Sequence, residues 1–242
     1  RAPFSLAALQ LDIAWEDPSE NLRRADALAA RAAGAGARLA VLPEMFNTGF
    51  SMAAERVAPH AQAARDGLAD IARRRGLWLL GGYAEPGEDG RRPRNACSLM
   101  APDGSEALRY HKIHPFSLAG EHRHYDGGTA LPAADVEGVR LTPLICYDLR
   151  FPEPFRAAAE RTDLFVVIAN WPAARRDAWR TLLRARAIEN QAFVLGVNRA
   201  GEGDGLAYAG DSALIDPLGA TLGELGPGEG VLLGDVDATT VA

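Results

Sequence analysis

The chain has 242 residues, with 26 Lys or Arg against 32 Asp or Glu, so its formal net charge is −6. Its 48% hydrophobic and 24% charged residues match an average globular domain, which excludes disorder of the whole chain. The acidic balance argues against a nucleic-acid-binding protein, and no apolar run approaches the roughly 18–20 residues of a membrane-spanning helix.

Short apolar runs alternate with helical patterns along the chain. The runs that predict strands cover residues 4–11, 39–42, 77–83, 96–100, 107–111, 140–145, 164–169 and 192–198. The patterns that predict helices cover residues 18–33, 62–75, 153–161 and 176–190. Asp17 is the expected N-cap of the first helix, and Gly76 is expected to end the second.

The remaining segments fit the same plan. Residues 102–104 are expected to turn a hairpin between two of the strands, residues 115–131 show no period, and the chain after residue 198 predicts short strands and turns. No linker, repeat or low-complexity segment interrupts the chain. We therefore expect one domain over residues 1–242, with layered α/β architecture and mixed sheets.

Three residues of reactive type follow predicted strands directly. Cys146 ends the run 140–145 and precedes a helix, Glu44 follows the strand 39–42, and Lys112 follows the strand 107–111. Ends of strands are where α/β proteins place ligands and nucleophiles, and these three could converge on one edge. Singly, each has an ordinary alternative reading, as a packed cysteine, a solvated loop acid and a surface charge.

A nucleophilic Cys146 would need a base or a nearby cation, because an ordinary thiol has a pKa near about 8.5. One of the five histidines could serve, but no Cys–His signature surrounds Cys146. A carboxylate with a cationic partner would serve equally well.

Taken together, three segments resemble the nitrilase (carbon–nitrogen hydrolase) superfamily. They are Leu42-Pro43-Glu44, Tyr110-His111-Lys112 and residues 146–152, which read CYDLRFP. The resemblance covers essentially the whole chain and implies a four-layer α-β-β-α sandwich. It also implies a catalytic triad of Glu44, Lys112 and Cys146, with Glu44 as general base and Cys146 as the nucleophile that forms a thioester. Lys112 and the backbone N–H of Tyr147 would stabilise the oxyanion.

Two further features come with this resemblance. Glu121 looks like the superfamily's second glutamate, which would orient Lys112 or help position the substrate; the alternative is an exposed loop acid. Asp148 and Arg150 match the motif after the nucleophile, and we interpret them as an ion pair that braces the turn.

Several stretches, chiefly residues 43–52, 119–122 and 170–172, resemble the omega-amidase branch. That resemblance implies hydrolysis of the terminal amide of small omega-amido keto acids such as 2-oxoglutaramate. Arg175 is the candidate for the substrate carboxylate, although Arg176 beside it leaves the choice open. The expected pocket walls are aromatic: Phe46, Phe116 and Trp171. The alternatives are an amidase for N-carbamoyl amino acids or aliphatic amides, and a non-catalytic binding protein.

No cofactor is implied, because thiol attack on an amide needs none. His122 and His124 have a spacing that could ligate a metal on a strand, but no third ligand is evident, so we expect no metal. Cys97 is interpreted as core packing. Two cysteines are too few for a disulfide scaffold, which favours the cytoplasm. The resemblance also implies a homodimer, and the segment 150–155, with two aromatic residues that look exposed, is the expected interface. We expect no nucleic-acid or membrane partner.

Overall fold

The computed structural model describes residues 3–241, so the predicted domain 1–242 extends past the described residues at both ends. In chain order the strands are β1 (Phe4–Gln10), β2 (Leu39–Val41), β3 (Trp78–Glu85), β4 (Arg94–Met100), β5 (Glu106–His111), β6 (Ala134–Val136), β7 (Val139–Ile145), β8 (Leu164–Ala169), β9 (Phe193–Asn198), β10 (Ala200–Gly203), β11 (Leu206–Ala209), β12 (Ala213–Ile215), β13 (Thr221–Glu224) and β14 (Gly230–Val236). The helices are α1 (Pro18–Gly34), α2 (Ala54–Val57), α3 (Ala61–Arg75), α4 (Pro152–Ala158) and α5 (Arg176–Asn190).

The strands form two six-stranded mixed sheets and one separate hairpin. The first sheet has the order β14-β1-β2-β3-β4-β5, with β1, β2 and β3 parallel and each of the other strands antiparallel to its neighbour. The second has the order β13-β12-β9-β8-β7-β6, with β7, β8 and β9 parallel. Strands β10 and β11 form the hairpin, and Ala200 at its start makes an isolated parallel bridge to Asp12.

Alternation along β1 shows how the layers stack. Leu6 and Ala8 face the second sheet, whereas Ala7 and Leu9 pack with the apolar faces of α1 and α3. On the second sheet, α4 and α5 cover the outer face. The result is the expected four-layer α-β-β-α sandwich, with one core between the sheets and helices outside.

The sequence patterns located most elements. Strand β8 and helix α5 have the predicted bounds, and Asp17 caps α1 by accepting a hydrogen bond from the Glu20 N–H at 3.1 Å. Gly76 ends α3 in the left-handed conformation, with φ of 64°. The short elements α2 and β6 were not predicted. The predicted helix 153–161 ends earlier, at Ala158, and continues only as a 3₁₀ turn.

The sequence predicted a dimer interface with two exposed aromatic rings at the segment 150–155, but neither ring is fully exposed. Phe155 is completely buried in the core, and Phe151 is half-buried and stacks on His114 with ring centroids 3.8 Å apart. The expectation that both rings are exposed is wrong, whereas the homodimer and an interface at this segment stay predictions. No helix within residues 3–241 is long and apolar enough to cross a membrane.

Candidate active site

Strand direction brings the three reactive residues to one place. Strand β5 runs in the same direction as β2, because two antiparallel steps through β4 separate it from β3. Glu44 after β2 and Lys112 after β5 therefore lie at the same edge of the first sheet. Cys146 follows β7 of the second sheet and faces them across the sandwich.

Lys112 is the centre of a buried charged cluster. Its ammonium donates to Glu44 Oε1 at 2.9 Å and to Glu121 Oε2 at 2.9 Å, with a longer contact to Glu121 Oε1 at 3.2 Å. All three side chains are at most 1% exposed. Glu121 lies on a 3₁₀ turn and also accepts a hydrogen bond from the Phe116 N–H. Its burial could not be predicted from residues 115–131, which show no periodic pattern.

Two asparagines missed by the sequence analysis complete the hold on Glu44. The Asn95 amide, at the start of β4, donates to Glu44 Oε1 at 2.7 Å and to Glu121 Oε1 at 2.9 Å. The Asn170 N–H donates to Glu44 Oε2 at 2.8 Å, and its side-chain amide donates to the Glu44 carbonyl. Two signals could have identified them: Asn95 is a polar residue in the mostly apolar strand β4, and Asn170 directly follows the end of β8.

The charges in the cluster shift one another's pKa values. Burial alone would lower the pKa of Lys112, but the carboxylates of Glu121 and Glu44 more than offset it and raise that pKa above its ordinary value. Burial raises the pKa of Glu121, the Lys112 ammonium lowers it in part, and the Glu44 charge adds to the rise. Lys112 is therefore a permanent cation between two acids.

Cys146 sits at the turn from β7 into a 3₁₀ segment, with φ of 48°, an uncommon conformation for a residue other than glycine. Its side chain is largely buried, with the residue 8% exposed. Burial raises the pKa of the thiol well above its ordinary value, Glu44 raises it further by its charge and as a hydrogen-bond acceptor, and Lys112 lowers it in part. The Cys146 side chain at rest is thus a protonated thiol near Glu44.

The brace of this turn differs from the prediction. Asp148 does not pair with Arg150; it is fully buried and accepts from the Ile145 N–H at 3.0 Å, the Tyr110 hydroxyl at 2.7 Å and His114 Nδ1 at 2.8 Å. The Arg150 guanidinium instead lies 5.1 Å from the centroid of the Trp171 ring. Asp148 therefore ties the Cys146 turn to the segment after β5, which carries Lys112.

Cys146 opens onto a cavity of about 350 Å³. Of the residues predicted to bind substrate, Phe116, Tyr147, Trp171 and Arg175 line it. Phe46 does not: it is fully buried beneath α3, and Phe50 takes the place at the cavity, with the Lys112 ammonium 5.2 Å from its ring centroid.

The choice between the two neighbouring arginines has a structural answer. Arg176 points away and forms an ion pair with Asp211 at 2.8 Å. Arg175 lines the cavity, where its guanidinium lies 5.0 Å from the centroid of the Phe116 ring. Of these two arginines, Arg175 is therefore the one available to a bound anion.

The other candidate residues lie outside the cluster. Cys97 is fully buried between the sheets, and burial raises the pKa of its thiol, so it is poorly suited to nucleophilic chemistry. His122 and His124 are exposed. Within the part of the chain that the structure describes, no group of three or more His, Cys, Asp or Glu side chains could hold a metal ion.

Comparisons with known proteins agree with this geometry. A family model described as carbon-nitrogen hydrolase matches residues 5–242. The omega-amidase YafV of Yersinia enterocolitica is 42% identical over 95% of this chain and 88% of its own length. The 2-oxoglutaramate amidase of Bacillus subtilis is 32% identical over 97% of this chain and 91% of its own.

A solved structure gives the same fold. A mutant of the amidase from Nesterenkonia sp. AN1, which shows the result of Michael addition of acrylamide at the active-site cysteine, superposes with a TM-score of 0.90. It is 32% identical, and the match covers 97% of this chain and 94% of that one. The resemblance seen in the sequence and the sandwich fold are both confirmed. The chain belongs to the carbon-nitrogen hydrolase family and is a hydrolase that acts on the carbon–nitrogen bonds of amides.

Proposed function

We propose that the protein hydrolyses the terminal amide of small omega-amido keto acids, such as 2-oxoglutaramate, to the acid and ammonia. The observation that carries the proposal is the buried Glu44–Lys112–Glu121 cluster behind Cys146, at a small cavity that also presents Arg175. The omega-amidase and 2-oxoglutaramate amidase relatives support this substrate class.

Acylation begins with proton transfer from the Cys146 thiol to Glu44. The sulfur attacks the amide carbonyl, and the oxygen that becomes negative is stabilised by Lys112 and the Tyr147 N–H. Lys112 has three N–H bonds: one reaches Glu44, and the two oxygens of Glu121 share another. The third is left for the oxyanion. Collapse breaks the carbon–nitrogen bond, and Glu44 returns its proton to the leaving ammonia.

Deacylation uses the same base. Glu44 takes a proton from water, the hydroxide attacks the thioester, and the thiolate leaves and recovers its proton from Glu44. Hydrogen bonds from Asn95 and Asn170 fix both oxygens of Glu44, so the base is already oriented in each half-reaction. Glu121 acts by holding Lys112.

Substrate recognition needs a cation at the end remote from the amide. The planar guanidinium of Arg175 can form a paired hydrogen bond with a carboxylate, and the rings of Phe116 and Trp171 enclose the short chain between the ends. A cavity of about 350 Å³ lies at the small end of the usual range for ligand sites.

The direct test is release of ammonia from 2-oxoglutaramate by the purified protein. Cys146→Ala should abolish turnover with little change in the thermal unfolding temperature, and substrate should leave an acyl mass on wild-type Cys146 but not on the variant. Turnover by Cys146→Ala would overturn the nucleophile. Turnover of N-carbamoyl amino acids or aliphatic amides in preference to 2-oxoglutaramate would overturn the substrate class.

We further propose that the chain works in the cytoplasm as a homodimer and forms one domain. Free Cys97 and Cys146 suit a reducing compartment, and the shared core between the sheets supports one folding unit. Light scattering after size-exclusion chromatography tests the dimer, for which twice the chain mass of 25.8 kDa is expected.

A further inference from the structure

The β10–β11 hairpin contributes one wall of the cavity and carries an unused polar group. Tyr208, on β11, lines the same cavity as Cys146 and Arg175 and is only 6% exposed. Its hydroxyl has no hydrogen-bond partner among residues 3–241, and it is not one of the atoms sealed from solvent. The phenol is therefore packed on its ring faces, with its oxygen turned to the cavity.

A buried cation lies under that ring. The Arg199 guanidinium is 4.5 Å from the Tyr208 ring centroid, and Arg199 is 0% exposed. It donates to the carbonyls of Ala200 at 3.0 Å and Glu202 at 2.8 Å in the hairpin, while the Asp12 carboxylate stays 3.5 Å away. That distance still makes an ion pair, but the Arg199 Nη1 is buried without a hydrogen-bond partner. A buried donor left without a partner is costly, so the placement of Arg199 points to a role beyond stability.

That role follows from what Arg199 touches. The two hydrogen bonds to Ala200 and Glu202 fix the start of the hairpin. A third, to the Ile13 carbonyl at 3.0 Å, anchors the guanidinium to the chain that follows β1, and its charge faces the ring of Tyr208. Burial raises the pKa of Tyr208 to about 12, Arg199 lowers it in part and Glu44 adds to the rise. Near neutral pH the hydroxyl is thus a protonated donor, made stronger by the cation beneath it.

We infer, on the basis of the proposed amidase function, that Tyr208 is a substrate-binding residue whose hydroxyl donates a hydrogen bond to an oxygen of the 2-oxo acid end. Arg199 is its positioning residue. Arg175 supplies charge to that end, and Tyr208 supplies a directional contact that a simple aliphatic amide cannot use. Selectivity for 2-oxo acid amides over aliphatic amides therefore depends on the hairpin as well as on Arg175.

The test compares kcat/KM for three amides: 2-oxoglutaramate, glutaramate, which lacks the 2-oxo group, and butanamide, which lacks the carboxylate as well. Tyr208→Phe should lower the ratio of kcat/KM for 2-oxoglutaramate to that for butanamide by about ten- to a hundred-fold, the effect of one hydrogen bond to a charged or strongly polar oxygen. A matching loss on glutaramate identifies the carboxylate oxygen as the acceptor; a loss on 2-oxoglutaramate alone identifies the keto oxygen.

Tyr83→Phe is the matched control, because it removes another buried phenol hydroxyl, one that bonds Ser98 at 2.6 Å on the first sheet. Its selectivity ratio should equal that of the wild type. Arg199→Lys keeps the charge but not the fork, and should lose the same selectivity as Tyr208→Phe without adding to it in the double variant.

Two results would overturn the inference, and they are distinguishable. An unchanged ratio in Tyr208→Phe, with wild-type turnover of 2-oxoglutaramate intact, removes the role of Tyr208 alone. Failure of the wild type to hydrolyse 2-oxoglutaramate while it hydrolyses butanamide removes the proposed substrate class and the inference together.

Discussion

Glu44 affects the Cys146 thiol in two opposing ways. In the proposed mechanism it accepts the thiol proton as a base, but as a neighbouring negative charge it raises the pKa of Cys146 and favours the protonated thiol. Lys112 works in the opposite direction by lowering that pKa in part. Activation of the sulfur is therefore coupled to the reaction itself rather than stored as a free thiolate.

This coupling predicts opposite changes in Glu44→Gln. Turnover should fall by about 10²–10⁴-fold, because the general base is lost. The pKa of Cys146 should nevertheless fall, because the negative charge is removed and Lys112 remains. Ultraviolet absorbance of the thiolate as a function of pH measures the pKa, with Cys146→Ala as the background. A pKa that stays unchanged or rises would contradict the assignment of Glu44 as the charge facing the thiol.

Asn95 gives a second prediction at this scale. Its hydrogen bond lowers the pKa of Glu121 in part, and its own Oδ1 is buried without a partner, a cost of about 1–3 kcal/mol that a purely structural residue would avoid. Asn95→Leu should therefore reduce kcat by about ten- to a hundred-fold and move the acid limb of the pH–rate profile upward, because ionised Glu121 is less well stabilised.

Asn190→Leu is the control for this prediction, since Asn190 also buries an unpartnered Oδ1 but bonds a backbone carbonyl in α5. It should change stability without moving the acid limb. If Asn95→Leu loses activity with an unmoved pH profile, the residue only supports the fold.

Residue types at strand ends were readable from the sequence, but the direction of side chains in loops was not. The loop after β2 holds Phe46 and Phe50, and its backbone takes positive φ at Met45 (43°) and Gly49 (80°), so the sequence alone does not tell which ring reaches the cavity. We predicted an ion pair between Asp148 and Arg150 because the two residues are close in the sequence. The actual partner, His114, is 34 residues away, and its contact with Asp148 depends on how the two sheets pack.

At the scale of elements, the backbone of β3 lies directly against the loop after β2 that carries Glu44. The Gly82 carbonyl accepts a hydrogen bond from the Phe46 N–H at 2.9 Å, and the Gly82 N–H donates to the Pro43 carbonyl at 3.2 Å. A Cβ at Gly82 would lie 2.9 Å from Glu44 Cα and 3.0 Å from the Met45 nitrogen. Backbone atoms cannot rotate aside as side chains do, so this strand must carry glycine here.

Gly82→Ala should therefore displace Glu44, lowering kcat by at least about ten-fold and destabilising the fold by about 1–3 kcal/mol, as overpacking does. Steady-state kinetics and denaturant unfolding measure the two effects. Gly34→Ala, at the end of α1 where an added Cβ meets nothing within 4 Å, is the matched control and should keep full activity. Wild-type kcat in Gly82→Ala would show that the loop position is not set by β3.

The longer elements were predictable because their patterns repeat over several turns or pleats, as in α5 and β8. The short ones were not. Strand β6 has three residues and α2 has four, too few to show a period, and both exist because neighbouring elements pack or pair with them. The position of Glu121 in the site could not be predicted for the same reason, since it lies on a 3₁₀ turn of three residues in a segment without a periodic pattern.

At the scale of the whole molecule, carboxylates outside the active site tie neighbouring elements of one layer together. Asp26 of α1 accepts from Arg75 at 2.9 Å and from Arg74 at 3.1 Å, both in α3. The hydrogen bond from Arg75 lowers the pKa of Asp26 most, burial offsets part of it, and Arg74 lowers it again. On the first sheet, burial would raise the pKa of Glu85, but the hydrogen bond from His111 and the charge of Arg109 hold it below its ordinary value.

A carboxyl with a lowered folded pKa stabilises the fold above its ordinary pKa, 3.8 for Asp26, and this contribution is lost as the pH falls through the lowered value. The thermal unfolding temperature should therefore drop as the pH falls below about 4. Asp26→Asn should unfold at a lower temperature than the wild type near about pH 7, and the gap should close in acid because both proteins then lack the charge. Circular dichroism melts across this range measure the gap. A gap that stays constant with pH would mean that the Asp26 charge contributes nothing to holding α1 on α3.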